Sequence, residues 1–146
     1  GLNSVYLRLG DGTEDPYTLS GLYLEKNLDK KYKYVLIDIN RAQTKYSGKY
    51  YIKDKACCPI SMILSKQSAS YDNTLLFAGR IKSIIDKKYG NLPVHIVTVD
   101  DRDYNQSMGS VGLIAEIGDA ANTYDEARET LKVFCSAVLE LADMER

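Results

Sequence analysis

"VGLIAEI", residues 111–117, decides the reading of the fold. The run is apolar apart from one glutamate, Glu116, and it does not alternate as a strand with one solvated face would. Continuous apolar runs of this length mark strands covered on both faces, the habit of parallel sheets flanked by helices. A carboxylate inside such a strand is costly unless it is paired, ligated or neutralised. Glu116 therefore belongs to the signature of the fold and is also the first candidate for chemistry.

Working outward, four more short runs read as strands: "SVYLRL" at 4–9, "YVLIDI" at 34–39, "ISMIL" at 60–64 and "VHIVTV" at 94–99. Two amphipathic helices lie among them. In "YDNTLLFAGRIKSIIDKKYG", Asp72 is placed to cap, Leu75, Ala78, Ile81, Ile84 and Ile85 repeat at helical spacing, and Lys87, Lys88 and Gly90 close the element. In "NTYDEARETLKVFCSAVLELA", Thr123 and Glu126 form a capping box ahead of a stripe of Ala127, Leu131, Phe134, Val138 and Leu141. A weaker pattern, with Leu19, Leu22, Tyr23 and Leu28 on one face and Gly21 against it, predicts a third helix over about 18–30. The stretch "KYSGKYYIKDK", 45–55, is expected to form a hairpin or exposed excursion about its Ser-Gly turn. Strand alternating with helix predicts an α/β fold: a mostly parallel sheet of at least four parallel-type strands, with helices over 73–89 and 124–142 on its faces.

With 146 residues, 45% hydrophobic and 27% charged, the chain is sized for one domain spanning 1–146. Nineteen Lys and Arg against 20 Asp and Glu leave no basic field, which excludes nucleic acid as an expected partner. No stretch reads as a membrane span or a signal sequence, and because the chain opens on Gly1 a targeting segment is expected ahead of it. Cys57, Cys58 and Cys135 give an odd count and no CxxC spacing, so no disulfide framework follows. The adjacent pair is expected to place one thiol in the core and one less deeply. His95, the only histidine, sits in a strand pattern and reads as a satisfied structural residue.

In open α/β sheets the functional crevice lies at the carboxyl ends of the strands. The candidates there are Asp38, Asn40 and Arg41 after one strand and Glu116 to Asp119 at the end of another. The polar loop with Arg102, Tyr104, Asn105 and Gln106 would complete a rim.

The segment "DRDYNQSMGSVGLIAEIGDAANTYDEARETLKVF" carries Tyr104, Asn105 and Gln106 in a loop, then Glu116, Ile117 and Gly118 at the close of a strand. Asn122, Thr123, Glu126 and Ala127 follow at the start of a helix. This order resembles the stage II sporulation protein P family of bacterial cell-wall amidases. Upstream, "NTLLFAGRIKSIIDKKYGNLP", "KDKACCPISMIL" and "YVLIDINRA" are similar to further family segments, so residues 33–146 are matched best and 1–32 only weakly. The resemblance implies an amidase-like three-layer sandwich and a zinc-dependent N-acetylmuramoyl-L-alanine amidase, with Glu116 as the counterpart of the base that takes a proton from metal-bound water.

The chain departs from the family pattern at the metal. Asn40, followed by Arg41 and Ala42, stands where the family has a ligand histidine in His-Arg-Asp. The family's His-Thr-His-Thr-Ser-Glu can be laid only on "LGDGTED", which puts Leu9 and Asp11 at the histidines and Glu14 at the glutamate. Zinc is therefore not expected, and an oxygen cluster of Asp11, Glu14 and Asn40 would at most suit Ca²⁺ or Mg²⁺. The expected function is a degenerate, non-catalytic amidase-fold domain without a cofactor, outside the cytoplasm at the cell surface or sporulation septum. It would bind peptidoglycan stem peptides or a wall-remodelling partner through Arg41, Arg102, Tyr104, Asn105 and Gln106. Two alternatives remain: an active peptidoglycan hydrolase with an altered metal site using Glu116, and a purely structural interaction module.

Overall fold

The computed structural model describes residues 15–29, 31–43 and 48–144. The strand expected at 4–9 and the candidate ligands Asp11 and Glu14 lie outside these residues. Among the described residues three α-helices, α1 (Pro16–Asn27), α2 (Tyr71–Tyr89) and α3 (Tyr124–Met144), accompany six strands: β1 (Val35–Ala42), β2 (Tyr50–Ile52), β3 (Lys55–Cys57), β4 (Ile60–Ser65), β5 (Val94–Val99) and β6 (Val111–Asp119). β2 and β3 form a separate antiparallel hairpin, turning at Lys53 and Asp54, where Lys53 takes the left-handed conformation the tight turn requires; Ser47 of the expected Ser-Gly turn lies outside the described residues.

The main sheet has the order β1-β6-β4-β5 and is mostly parallel. β1 runs parallel to β6 and β4 parallel to β5, while the central β6–β4 pairing is antiparallel. The two parallel pairs thus point in opposite directions, and the carboxyl ends of the strands are divided between the two ends of the sheet.

Register sorts the side chains. One face carries Ile60, Met62 and Leu64 of β4 with Leu113, Ala115 and Ile117 of β6, all buried. Ala78, Ile81 and Ile85 of α2 and Val133, Phe134, Ala137 and Leu141 of α3 pack there and complete the core. The opposite face carries Asp38, Asn40, Glu116, Ser61 and His95, mixed with Ile114 and Ile63. α1 stands on that side, with the Tyr17 hydroxyl against the Asp38 carboxylate. Helices on both faces give an α/β sandwich of three layers.

Both long helices begin within two residues of their expected starts, but the details shift. α2 starts at Tyr71 with Ser70 as its cap residue, so Asp72 falls inside the first turn, where its charge suits the positive end of the helix. In α3 the buried stripe is Glu126, Thr130, Val133, Phe134, Ala137 and Leu141, turned from the all-apolar stripe the spacing suggested. The reason is Thr130, whose hydroxyl serves both backbone groups of Cys58: it accepts from the N–H at 2.8 Å and donates to the carbonyl at 3.1 Å. Consequently Cys57 and Cys58 are both buried, not one of the two, and burial pushes both thiols above their ordinary pKa. Gly118, with φ +65°, lies one residue before the end of β6, where a Cβ would come within 2.6 Å of Cys58 Sγ. Only glycine fits that turn.

Candidate functional site

Register places four polar residues in one line across the sheet. Asn40 of β1 pairs with Glu116 of β6, Glu116 pairs with Ser61 of β4, and Ser61 pairs with His95 of β5. Paired residues share a face, so the four side chains form a transverse row, each one strand spacing, about 4.8 Å, from the next. The row lies on the side away from α2 and α3. The apparent contradiction of a glutamate in a core strand is thereby resolved: Leu113, Ala115 and Ile117 face the core, and Glu116 faces the other way, half-buried.

The Glu116 carboxyl makes no hydrogen bond or ion pair among the described residues. Partial burial raises its pKa above the ordinary 4.5. Its neighbour Asn40 has a buried side-chain oxygen, Oδ1, with no hydrogen-bond partner. The Ser61 hydroxyl also has no hydrogen-bond partner among the described residues, and the His95 ring is exposed and likewise without one, which corrects the expectation of a satisfied histidine. Zinc fits this donor set poorly: a neutral amide is a weak ligand, and among the described residues no three His, Cys, Asp or Glu are grouped to hold an ion.

Arg41 follows Asn40 but serves the end of the sheet. Its Nη2 donates to the main-chain carbonyls of Asp119 and Asn122, tying β1 to the turn before α3. The same turn is closed by Asn122, whose Oδ1 accepts from Asp119 N–H at 3.1 Å, and by Glu126, which meets Lys49 of the hairpin at 3.1 Å. The hydrogen bond from the Thr123 N–H is the main cause of a lowered pKa at Glu126.

Arg102, Tyr104, Asn105 and Gln106 lie at the other end, beyond the close of β4 and β5, so they and Arg41 do not form one rim. Gln106 is 3% exposed and extends the ladder of β4, accepting from Ser65 N–H at 2.8 Å and donating to the Ile63 carbonyl at 3.1 Å. Asn105, in the left-handed region at φ 61°, donates through Nδ2 to the Tyr17 carbonyl at 2.6 Å and to Ser20 Oγ at 3.0 Å. Gly21, which counted against a helix in the sequence, is what lets Asn105 come close: a Cβ there would stand 2.9 Å from its Oδ1. The Arg102 guanidinium lies 4.6 Å from the ring centres of both Tyr17 and Tyr104 and 3.3 Å from Asp15. Desolvation and the Asp38 charge push the Tyr17 hydroxyl up to about 12. These loop residues fasten α1, which has no buried residue of its own, to the sheet.

Ser61 is the member of the row that sequence reasoning passed over. It sits in "ISMIL", an apolar run, and only the antiparallel β4–β6 register brings it beside Glu116. Nothing in the linear sequence carries that register.

No curated protein and no solved structure matches the chain. The family model described as stage II sporulation protein P matches residues 6–139, which include every strand and helix of the structure through most of α3. The chain accordingly belongs to the stage II sporulation protein P family and is a sporulation-related protein.

Proposed function

We propose that this chain is a non-catalytic member of its family that binds peptidoglycan outside the cytoplasm, using the sheet face around Glu116. The observation that carries this reading is the pairing of Asn40 with Glu116. The position resembling the family's base is kept, and the position resembling a histidine ligand beside it holds an amide that cannot replace imidazole at zinc. A half-buried carboxyl with unpaired polar neighbours suits recognition of a polar ligand better than it suits structural support, since burying unpaired polar groups lowers stability.

The test is incubation of the purified protein with sacculi. The expected result is co-sedimentation without release of stem peptides, and no stoichiometric zinc in the protein. Release of stem peptides, or one tightly held zinc per chain, would establish an active hydrolase instead; failure to sediment would leave a structural module.

A further inference from the structure

The polar row presents unpaired acceptors at its centre. Asn40 Oδ1 is buried and unpartnered, Glu116 has neither cation nor donor among the described residues, and the Ser61 hydroxyl on the far side of Glu116 has free lone pairs. The nearest cationic side chain in the sequence, Arg41, spends its Nη2 on the carbonyls of Asp119 and Asn122. Two unpaired acceptors on adjoining strands, the Asn40 amide oxygen and the half-buried Glu116 carboxylate, with a hydroxyl that can also accept on the next strand, call for a group with several donors and a positive charge.

We infer that the Asn40, Glu116 and Ser61 positions form a binding site for a primary ammonium group. An ammonium presents three N–H donors and accepts nothing, so seated on the Glu116 carboxylate it has donors left for an oxygen of the neighbouring strand, Asn40 Oδ1 above all. The alternatives fit less well. An anion would be repelled by Glu116, a neutral hydroxyl or amide would leave the carboxylate without a counter-charge, and a hard divalent cation needs six or more oxygens. A charge-assisted hydrogen bond to a half-buried carboxylate is the strongest single contact this face can offer. Resting on the wall-binding reading for its source, the ammonium is the free side-chain amine of a diamino acid in a stem peptide.

The test uses two probes, Nα-acetyl-lysine methylamide, which keeps its ammonium, and the same compound acetylated on Nε. They are titrated into isotope-labelled protein while the Asn40 side-chain amide and the Glu116 carboxyl are followed by NMR. The expected result is that only the free amine shifts both signals, and that Glu116→Gln weakens its binding on the order of ten- to a hundredfold. Equal binding of the two probes, no binding of the free amine, or undiminished binding by a folded Glu116→Gln protein would overturn the inference. Sacculi supply the second arm. Equal retention on native sacculi and on sacculi with acetylated amines would remove the ammonium site and leave wall binding in place. Binding of the lysine probe with no retention on either kind of sacculus would keep the site and remove the wall as its source.

Discussion

Thr123 and Glu126 close a reciprocal pair of hydrogen bonds at the start of α3: the Glu126 N–H donates to Thr123 Oγ1 at 3.2 Å, and the Thr123 N–H donates to Glu126 Oε2 at 3.0 Å. The same carboxylate accepts from Asn122 Nδ2 at 3.2 Å and meets Lys49 at 3.1 Å. Glu126→Ala is expected to destabilise the fold by roughly 1–3 kcal/mol, and Glu126→Gln by less because its oxygen can still accept from Thr123. The folded carboxyl has a pKa below the ordinary 4.5, so the unfolded chain takes up the proton first as pH falls. This contribution is therefore present above 4.5 and is lost as pH falls below it through the folded value. Urea melts at decreasing pH should show the wild type and Glu126→Gln converging.

Gln106 stands in for a missing piece of strand. Its amide bonds both Ser65 N–H and the Ile63 carbonyl while nearly fully buried. Gln106→Ala should cost about 1–3 kcal/mol for each group left unpaired. Gln106→Glu should cost at least as much despite its similar shape, because a carboxylate cannot donate to the Ile63 carbonyl. Equal stability of Gln106→Glu and wild type in denaturant melts would show that the amide is not needed.

Arg102 is the clasp on α1. Its ion pair with Asp15 is about half exposed, with side chains 47% and 41% accessible, so Arg102→Ala should change global stability by less than about 1 kcal/mol. The effect should be local: hydrogen exchange across Pro16–Asn27 should rise on the order of tenfold while the amides of β4 and β6 stay protected. Arg102→Lys should restore little, because a planar guanidinium can lie against the Tyr17 and Tyr104 rings where a compact ammonium cannot.

Glu116 should behave in the opposite sense to Glu126. Burial raises its folded pKa above 4.5, so the unfolded chain loses this proton first. Its favourable contribution is complete below 4.5 and disappears as pH rises through the folded value. Glu116→Gln removes the charge without leaving a cation unpaired and should be neutral to stabilising at neutral pH, by on the order of 0–2 kcal/mol. Chemical melts at matched m-values decide it; a loss of several kcal/mol would reveal a structural ion pair.

The layers of this fold were legible because hydrophobic period and capping are local. The capping box of Thr123 and Glu126 forms as the sequence specifies, and the apolar runs at 34–39, 60–64, 94–99 and 111–117 all become strands. Glu116 stands out in sequence as the one charged residue of the run 111–117, but its surroundings are not legible there. The direction of β4 against β6 is set by the lengths and paths of the connections, and it decides that Ser61 neighbours Glu116 and that Arg41 and Gln106 sit at opposite ends. The roles of Asn105 and Gln106 were hidden for a related reason. A polar side chain in a loop looks the same in sequence whether it reaches a ligand or a backbone carbonyl.

The position of β6 between β1 and β4 also dictates an order of assembly. Among the described residues β1 is hydrogen-bonded in the sheet to β6 alone, Val35 against Val111, so the first of these strands to leave a ribosome must wait for the last. β4, α2 and β5 are consecutive in the chain and can come together while the remainder is still being made. At synthesis rates of about 5–20 residues per second, β1 spends several seconds as an unpaired apolar segment before Val111–Asp119 emerges. Chains arrested on the ribosome before β6 should therefore be cut by protease within β1 and protected across β4 to β5, with β1 becoming resistant only once β6 is free to slide between it and β4.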